Sequence, residues 1–152
     1  MKKSELLERA RGAHGALTSA LEGLTEESAA RVGVNPQWSV KDMLAHIAAW
    51  EAEGVRRFAE TGEGGSTAKL DQEAIDGFNA AAVEERRSKS FGELREEYEE
   101  AYRGITGALE ALPDELDESS REYRFAEIVT VIHPTHHAAQ IEEWKKKMMS
   151  AE

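Results

Sequence analysis

The stretch from Ser90 to Pro113, SFGELREEYEEAYRGITGALEALP, carries the clearest structural pattern of the sequence. Ser90 with Glu93 three residues later forms a capping box, a local signal that begins a helix, and Pro113 ends it because proline has no amide hydrogen. The apolar residues between them recur every three or four positions, which predicts a helix with one buried face. They are Phe91, Leu94, Tyr98, Tyr102, Ile105, Leu109 and Leu112.

Similar periodicity extends over most of the 152 residues, which include only three prolines, and no segment alternates with a period of two. The sequence therefore predicts an all-α fold, an up-down four-helix bundle with a short extra helix between helices two and three, formed as a single domain over residues 1–152. The predicted helices are Ser4–Gly23, Val40–Glu60, the shorter Leu70–Arg87 after a glycine-rich loop at 61–69, the helix from Phe91, and Ala126–Met149.

Charge and composition narrow the possible partners. Thirty acidic and nineteen basic residues leave a net charge of −11, which repels nucleic acid and anionic lipid, so we expect neither partner. There is no cysteine, so a disulfide, a thiolate metal site and a cysteine nucleophile are excluded. The first residues carry charges and no long apolar run, so we expect no signal peptide or membrane span and a cytoplasmic location.

Three of the five histidines lie in one segment, HPTHHAAQ, from His133 to Gln140. His133, His137 and Gln140 fall on one stripe of the last helix, and rings four residues apart can bind one ion. His136 lies on the flank of that stripe and suits the rim of a site. His46 borders the buried stripe of helix two, so the three imidazoles converge if helices two and four are neighbours. The alternative interpretation is that His133 and His137 are core residues satisfied by Gln140.

Other polar or aromatic residues have structural explanations beside functional ones. Asp42 follows Ser39 by three residues and suits a helix cap, yet it could also orient His46. His14 lies on the core stripe of helix one, where a hydrogen-bonded core histidine is expected, and it could donate to a substrate. Trp50 could line a pocket or simply fill the core. Asn79 is predicted to cap a turn, with contact to a substrate as the alternative.

The segment from Trp38 to Glu51, WSVKDMLAHIAAWE, resembles the helix-two signature of the DinB/YfiT-like superfamily, and HPTHHAAQ resembles its helix-four signature. The stretch Ile75 to Ala80, IDGFNA, is similar to the ClbS/DfsB branch. The resemblance implies a four-helix bundle, commonly a homodimer, in which one histidine of helix two and a pair on helix four hold a divalent metal ion. Carried over to this sequence, the metal ligands are His46, His133 and His137.

The resemblance also implies a function. The chain would be a metal-dependent hydrolase or small-thiol transferase acting on a small electrophilic molecule, with zinc or nickel, or else iron or manganese, as the ion. A low-molecular-weight thiol such as bacillithiol or mycothiol would come from solution. The alternatives are a non-catalytic resistance module of ClbS/DfsB type, which sequesters a small molecule, and an interaction protein. Pro134 departs from a regular helix and predicts a kink or a helix start near His133.

Overall fold

The computed structural model describes residues 1–61 and 71–151, and almost every ordered element in them is helical. This confirms the all-α bundle with an additional helix between helices two and three. Most of the predicted loop at 61–69, and Leu70, lie outside the described residues. The elements are α1 (Lys3–Leu21), α2 (Glu26–Ala29), α3 (Val40–Thr61), α4 (Gln72–Glu85), α5 (Phe91–Glu110), α6 (Arg121–Glu127), a π-helical turn (Ile128–Ile132) and α7 (His133–Ala151).

Two predicted helix starts are confirmed by their caps. The Ser90 hydroxyl accepts a hydrogen bond from the Glu93 amide at 3.0 Å, and the Glu93 carboxylate accepts one from the Ser90 amide at 3.1 Å. Ser39 and Asp42 make the same reciprocal pair at the start of α3, at 3.2 and 3.0 Å. Each pair satisfies two amide groups that the first turn leaves without helical partners.

The predicted start of the last helix at Ala126 is wrong, because the helical rod begins at Arg121. The Ser120 hydroxyl accepts a hydrogen bond from the Tyr123 amide at 3.1 Å and caps this start. The cap follows an acidic, polar stretch that has the composition of a loop, so the apolar periodicity is visible only one turn later. The short helix α2 was not predicted either, since four residues are too few to show a period.

The core falls into two apolar clusters, one at each end of the bundle, and they give the direction of every long helix. One cluster combines the start of α1, the ends of α3 and α5, and the start of α6. The other combines the end of α1, the starts of α3 and α5, and the middle of α7. Helices α1 and α6–α7 therefore run one way and α3 and α5 the other, while α4 carries the chain back between α3 and α5.

The π-helical turn ends two residues before Pro134 and accommodates the absence of an amide hydrogen at that proline. In a regular helix the Thr130 carbonyl would accept from residue 134, which has no hydrogen to give. The chain widens instead, so that the His133 amide bonds the Ile128 carbonyl five residues earlier. The α-helical geometry thus restarts at His133, as predicted, but the rod continues without interruption through the wider turn.

Gly54 on α3 packs against α5 with no room for a side chain and offers a test of this packing. A Cβ atom at Gly54 would lie 2.8 Å from Cδ1 of the fully buried Ile105, whereas one at Gly15 on α1 would meet nothing within 4 Å. We expect Gly54→Ala to lower the free energy of unfolding by about 1–3 kcal/mol through overpacking. Gly15→Ala, the control, should raise it by up to about 1 kcal/mol through helix propensity. Urea unfolding measures both, and equal stabilisation by the two would contradict the packing described.

Candidate metal centre

Three imidazole rings meet between α3 and α7. His133 Nε2 lies 2.6 Å from His46 Nε2 and 2.9 Å from His137 Nε2, and one ring nitrogen of each residue lies within 4.8 Å of the others. His46 and His137 are buried, with exposed fractions of 5% and 8%, and His133 is half-buried. The structure therefore brings together the three residues that the sequence singled out.

Each ring is held in place by the element that carries it. His133 and His137 lie one turn apart on α7, with ring centroids 4.4 Å apart. His46 enters from α3, where the ring of Trp38 packs against it at 4.9 Å. Residues on both sides of His46 along α3, including Met43 and Ile47, are fully buried and fix the rotation of that helix.

Gln140 determines which nitrogen of His137 faces the cluster. Its amide oxygen lies 2.7 Å from His137 Nδ1. An amide oxygen only accepts, so Nδ1 carries the proton and donates it, and Nε2 keeps its lone pair toward the other two rings. A hydrogen bond to the second ring nitrogen is the usual support of a histidine that binds a metal ion. Gln140 thus supports His137 from outside the cluster.

The three nitrogens suit a shared cation better than they suit one another. His133 Nε2 offers either one hydrogen or one lone pair, yet two other ring nitrogens lie within 2.9 Å of it. One hydrogen bond can satisfy only one of these contacts well. A divalent ion would accept all three lone pairs, and three imidazoles with a position left open for another ligand are typical of catalytic zinc sites.

Burial keeps the cluster uncharged at neutral pH. Burial, and then the charges of the neighbouring histidines, lower the pKa of His133 to about 2. Burial, and then the charge of His137, lower the pKa of His46 to about 4, although a side-chain hydrogen bond with Asn79 raises it by a smaller amount. Burial also lowers the pKa of His137, although its bond to Gln140 opposes the shift. Neutral imidazole is the form that binds metal, so the site does not need to lose protons first.

The cluster opens into a pocket of about 920 Å³ between α3, α4 and the α6–α7 rod. Its walls are largely apolar, which suits the binding of a small organic molecule. His136 is exposed at its rim, with its ring 5.3 Å from that of His137, and Trp50 lies in its wall. The other described residues that line it are Trp38, Arg57, Ile75, Asn79, Arg121, Arg124, Phe125, Ile128 and Val129.

Two of the predicted pocket residues lie elsewhere. His14 contacts Glu99 on α5 at 2.9 Å and stacks on Tyr102 at 4.0 Å, so it belongs to a separate polar cluster between α1 and α5. Asp42 makes the cap with Ser39, and it is not among the described residues that line the pocket. The core-histidine and capping explanations therefore describe their observed contacts.

The prediction that Asn79 caps a turn is wrong. Asn79 lies inside α4, where its amide oxygen accepts a hydrogen bond from the Trp50 indole at 2.7 Å beside the histidine cluster. Sequence reasoning also missed the pocket arginines Arg57, Arg121 and Arg124. A mixed charged segment gives no sign of which arginine faces a cavity, although the scarcity of basic residues in this acidic chain could have drawn attention to them.

Comparison with known proteins places the chain in a family. Residues 10–146 match the family described as the mycothiol maleylpyruvate isomerase N-terminal domain. No curated protein matches the chain closely enough to count as a relative. No helix within residues 1–61 and 71–151 combines the length and the apolar character that crossing a bilayer requires.

Solved structures share the fold at low sequence identity. DfsB, described as a sibling lethal factor precursor, superposes with a TM-score of 0.80 at 19% identity, over 97% of each chain. The colibactin self-resistance protein ClbS, solved in complex with a dsDNA, gives 0.81 at 11% identity, over 95% of this chain and 96% of its own. An uncharacterised protein from Escherichia coli UTI89 gives 0.78 at 16%, over 96% and 94%. The fold of the ClbS/DfsB branch is thus present here.

The lowered pKa values predict how stability depends on pH without metal. The unfolded chain protonates its histidines near pH 6.5, whereas folded His46 stays neutral down to about pH 4. The unfolded state therefore binds more protons in this window. Each lowering of the pH by one unit should reduce the free energy of unfolding by up to about 1.4 kcal/mol for each such histidine. Urea unfolding with a chelator, between pH 7.5 and 5, measures the loss.

A comparison of variants assigns this loss to the cluster. His133→Gln should reduce the dependence on pH, because one ring that must stay neutral is removed. His14→Gln, outside the cluster, is the control and should retain the contribution of the three rings. Equal pH dependence in wild type and His133→Gln would contradict the assignment.

Proposed function

This chain belongs to the mycothiol maleylpyruvate isomerase N-terminal domain family, and we propose that it is a metal-dependent enzyme acting on a small electrophilic molecule. His46, His133 and His137 would hold one divalent ion through their Nε2 atoms. Zinc and nickel suit three imidazoles best, and iron or manganese would also bind. The single observation that carries the proposal is that His133 Nε2 lies within 2.9 Å of two other ring nitrogens.

A divalent ion at this place would polarise an electrophile, or lower the pKa of a bound water or thiol. The protein supplies the orientation of the rings and of the pocket wall. Gln140 fixes the tautomer of His137, and the Trp50–Asn79 pair stiffens the wall where α4 meets α3. His136, exposed at the rim, would lie beside a molecule that enters the pocket.

The attacking group is supplied from solution, either as a small thiol or as water. The sequence contains no cysteine, so a thiol transfer would use a low-molecular-weight thiol as co-substrate. Hydrolysis would use water at the same position. Both reactions need the same cluster and pocket, so we propose the common class, a hydrolase or small-thiol-dependent transferase.

A second candidate is a resistance protein that binds and sequesters a small molecule. The largely apolar pocket of about 920 Å³ favours it, since such a pocket can retain a ligand without chemistry. The structural neighbour ClbS is described as a self-resistance protein. In this case the histidines would stabilise the pocket wall, and bound ligand would be recovered unchanged.

Partners and location complete the proposal. We propose a small-molecule substrate, a homodimer in the cytoplasm, and no nucleic-acid or membrane partner. Although ClbS was solved with dsDNA, the net charge of −11 on this chain opposes binding to a phosphate backbone.

Metal loading tests the site directly. Protein dialysed against zinc or nickel and then freed of loose ions should retain one ion per chain by elemental analysis. His137→Ala should lose the ion, because it removes one of three ligands. Gln140→Leu should retain it with affinity lowered about 10–100-fold, since only the support of His137 is lost. His14→Ala is the control and should bind as wild type does. Absence of a stoichiometric ion from loaded wild type would contradict the metal site.

A screen of reactions separates the two candidates. Metal-loaded protein is offered small thiols, including cysteine, bacillithiol and mycothiol, together with unsaturated carbonyl compounds and strained-ring electrophiles, and products are followed by mass spectrometry. An enzyme should give turnover that a chelator and His137→Ala both abolish. A sequestering protein should instead give thermal stabilisation by ligand that survives the chelator, with the ligand recovered intact.

A further inference from the structure

The pocket differs sharply in charge from the rest of the molecule. The chain has thirty acidic residues, yet none of the described residues that line the pocket is acidic. Three arginines line it instead: Arg57, Arg121 and Arg124. In a protein with net charge −11, a pocket wall with three arginines and no described acidic residue departs from the charge of the molecule as a whole.

Arg57 is a fixed member of this group. Its side chain is buried, with an exposed fraction of 8%, and its guanidinium lies over the Phe125 ring at 5.4 Å. Its Nε donates to the Glu53 carboxylate at 3.0 Å, which restrains the side chain from the α3 side. Arg57 therefore forms a fixed part of the pocket wall, held by its ion pair with Glu53, before any ligand arrives.

Arg121 and Arg124 are exposed at the start of the α6–α7 rod. Within the part of the chain that the structure describes, neither makes an ion pair or a side-chain hydrogen bond, whereas most of the other arginines pair with a glutamate. Two guanidinium groups with free donors thus share the pocket wall with Arg57. Guanidinium binds carboxylate and phosphate oxygens in a bidentate manner.

The arginines and the histidines lie at opposite ends of the pocket. Arg57 follows His46 by about three turns of α3, roughly 16 Å along the axis, and Arg124 precedes His133 by a similar stretch of the rod. The wall between them includes Trp50, Phe125 and Val129. The π-helical turn contributes here, because its extra residue per turn rotates α6 relative to α7 and allows both ends to face one cavity.

We propose that the pocket binds an elongated small molecule that has an anionic head group at the arginines and an apolar body reaching the histidines. The head group is a carboxylate or a phosphate, since both match a guanidinium. This inference rests on the proposed function only for the end of the substrate that reacts at the histidines. The arginines give specificity by holding the other end of the substrate. They bind that end whether or not the histidines hold an ion. Arg121 and Arg124 are specificity-determining residues.

The test compares probes that share an apolar chain and differ in the head group. Decanoate, decyl phosphate and decanol are titrated into metal-loaded protein and into chelated protein, and binding is followed through the fluorescence of the pocket tryptophans Trp38 and Trp50. Decanoate and decyl phosphate should each bind about tenfold more tightly than decanol. High salt should narrow this difference in affinity, because Arg121 and Arg124 are solvent-exposed.

The double variant Arg121→Gln/Arg124→Gln should bring the anions to within about threefold of decanol while one metal ion per chain is retained. Its matched control is Arg87→Gln/Arg103→Gln, which removes the same charge from exposed positions outside the pocket and should retain the wild-type preference. His137→Ala should lose the ion and retain the preference for anions. Failure of the metal site and failure of the anion site are thereby separate results.

Three outcomes overturn the inference. Equal affinity of wild type for decanol and both anions removes the anion site. A preference that disappears with the chelator, and persists in the arginine double variant, assigns the head group to the ion instead. Binding of a labelled DNA duplex that depends on Arg121 and Arg124, without preference among the three probes, assigns the arginines to a nucleic-acid partner.

Discussion

The hydrogen bond from the His133 amide to the Ile128 carbonyl shapes the functional side of this protein. Pro134 has no amide hydrogen to donate to the Thr130 carbonyl. The wide turn before it lets the helical rod continue past this missing hydrogen bond. The turn also changes the helical phase, so that residues of α6 and the histidines of α7 line one cavity.

Desolvation is the second determinant of the site. The histidine cluster lies among apolar side chains, and this environment keeps its rings neutral and their lone pairs available. The same chain carries its excess negative charge elsewhere. One end of the pocket holds neutral histidines and the other end is lined by arginines. The two ends therefore suit different ligand groups, although the surface as a whole is acidic.

The second polar cluster shows that burial of a titratable group does not by itself create a site. Glu51 is 1% exposed, and one of its oxygens has no hydrogen-bonding partner among the residues that the structure describes. Burial, followed by the charge of Glu99, raises its pKa. His14 contacts Glu99 close by. These groups lie between α1, α3 and α5 and do not line the pocket described here. Without a cavity and converging free donors, they belong to the packing of the bundle.

Local patterns in the sequence determined the helices, two of their caps and the three histidines of interest, because periodicity and capping act over a few residues. The HPTHHAAQ segment placed His133 and His137 on one face without any knowledge of the fold. Tertiary structure decided the rest: that α3 brings His46 to that face, that His14 pairs with Glu99, and that Asn79 holds Trp50. It alone selected Arg57, Arg121 and Arg124 from eleven arginines, because the direction a surface side chain faces depends on packing between distant helices and on one widened turn.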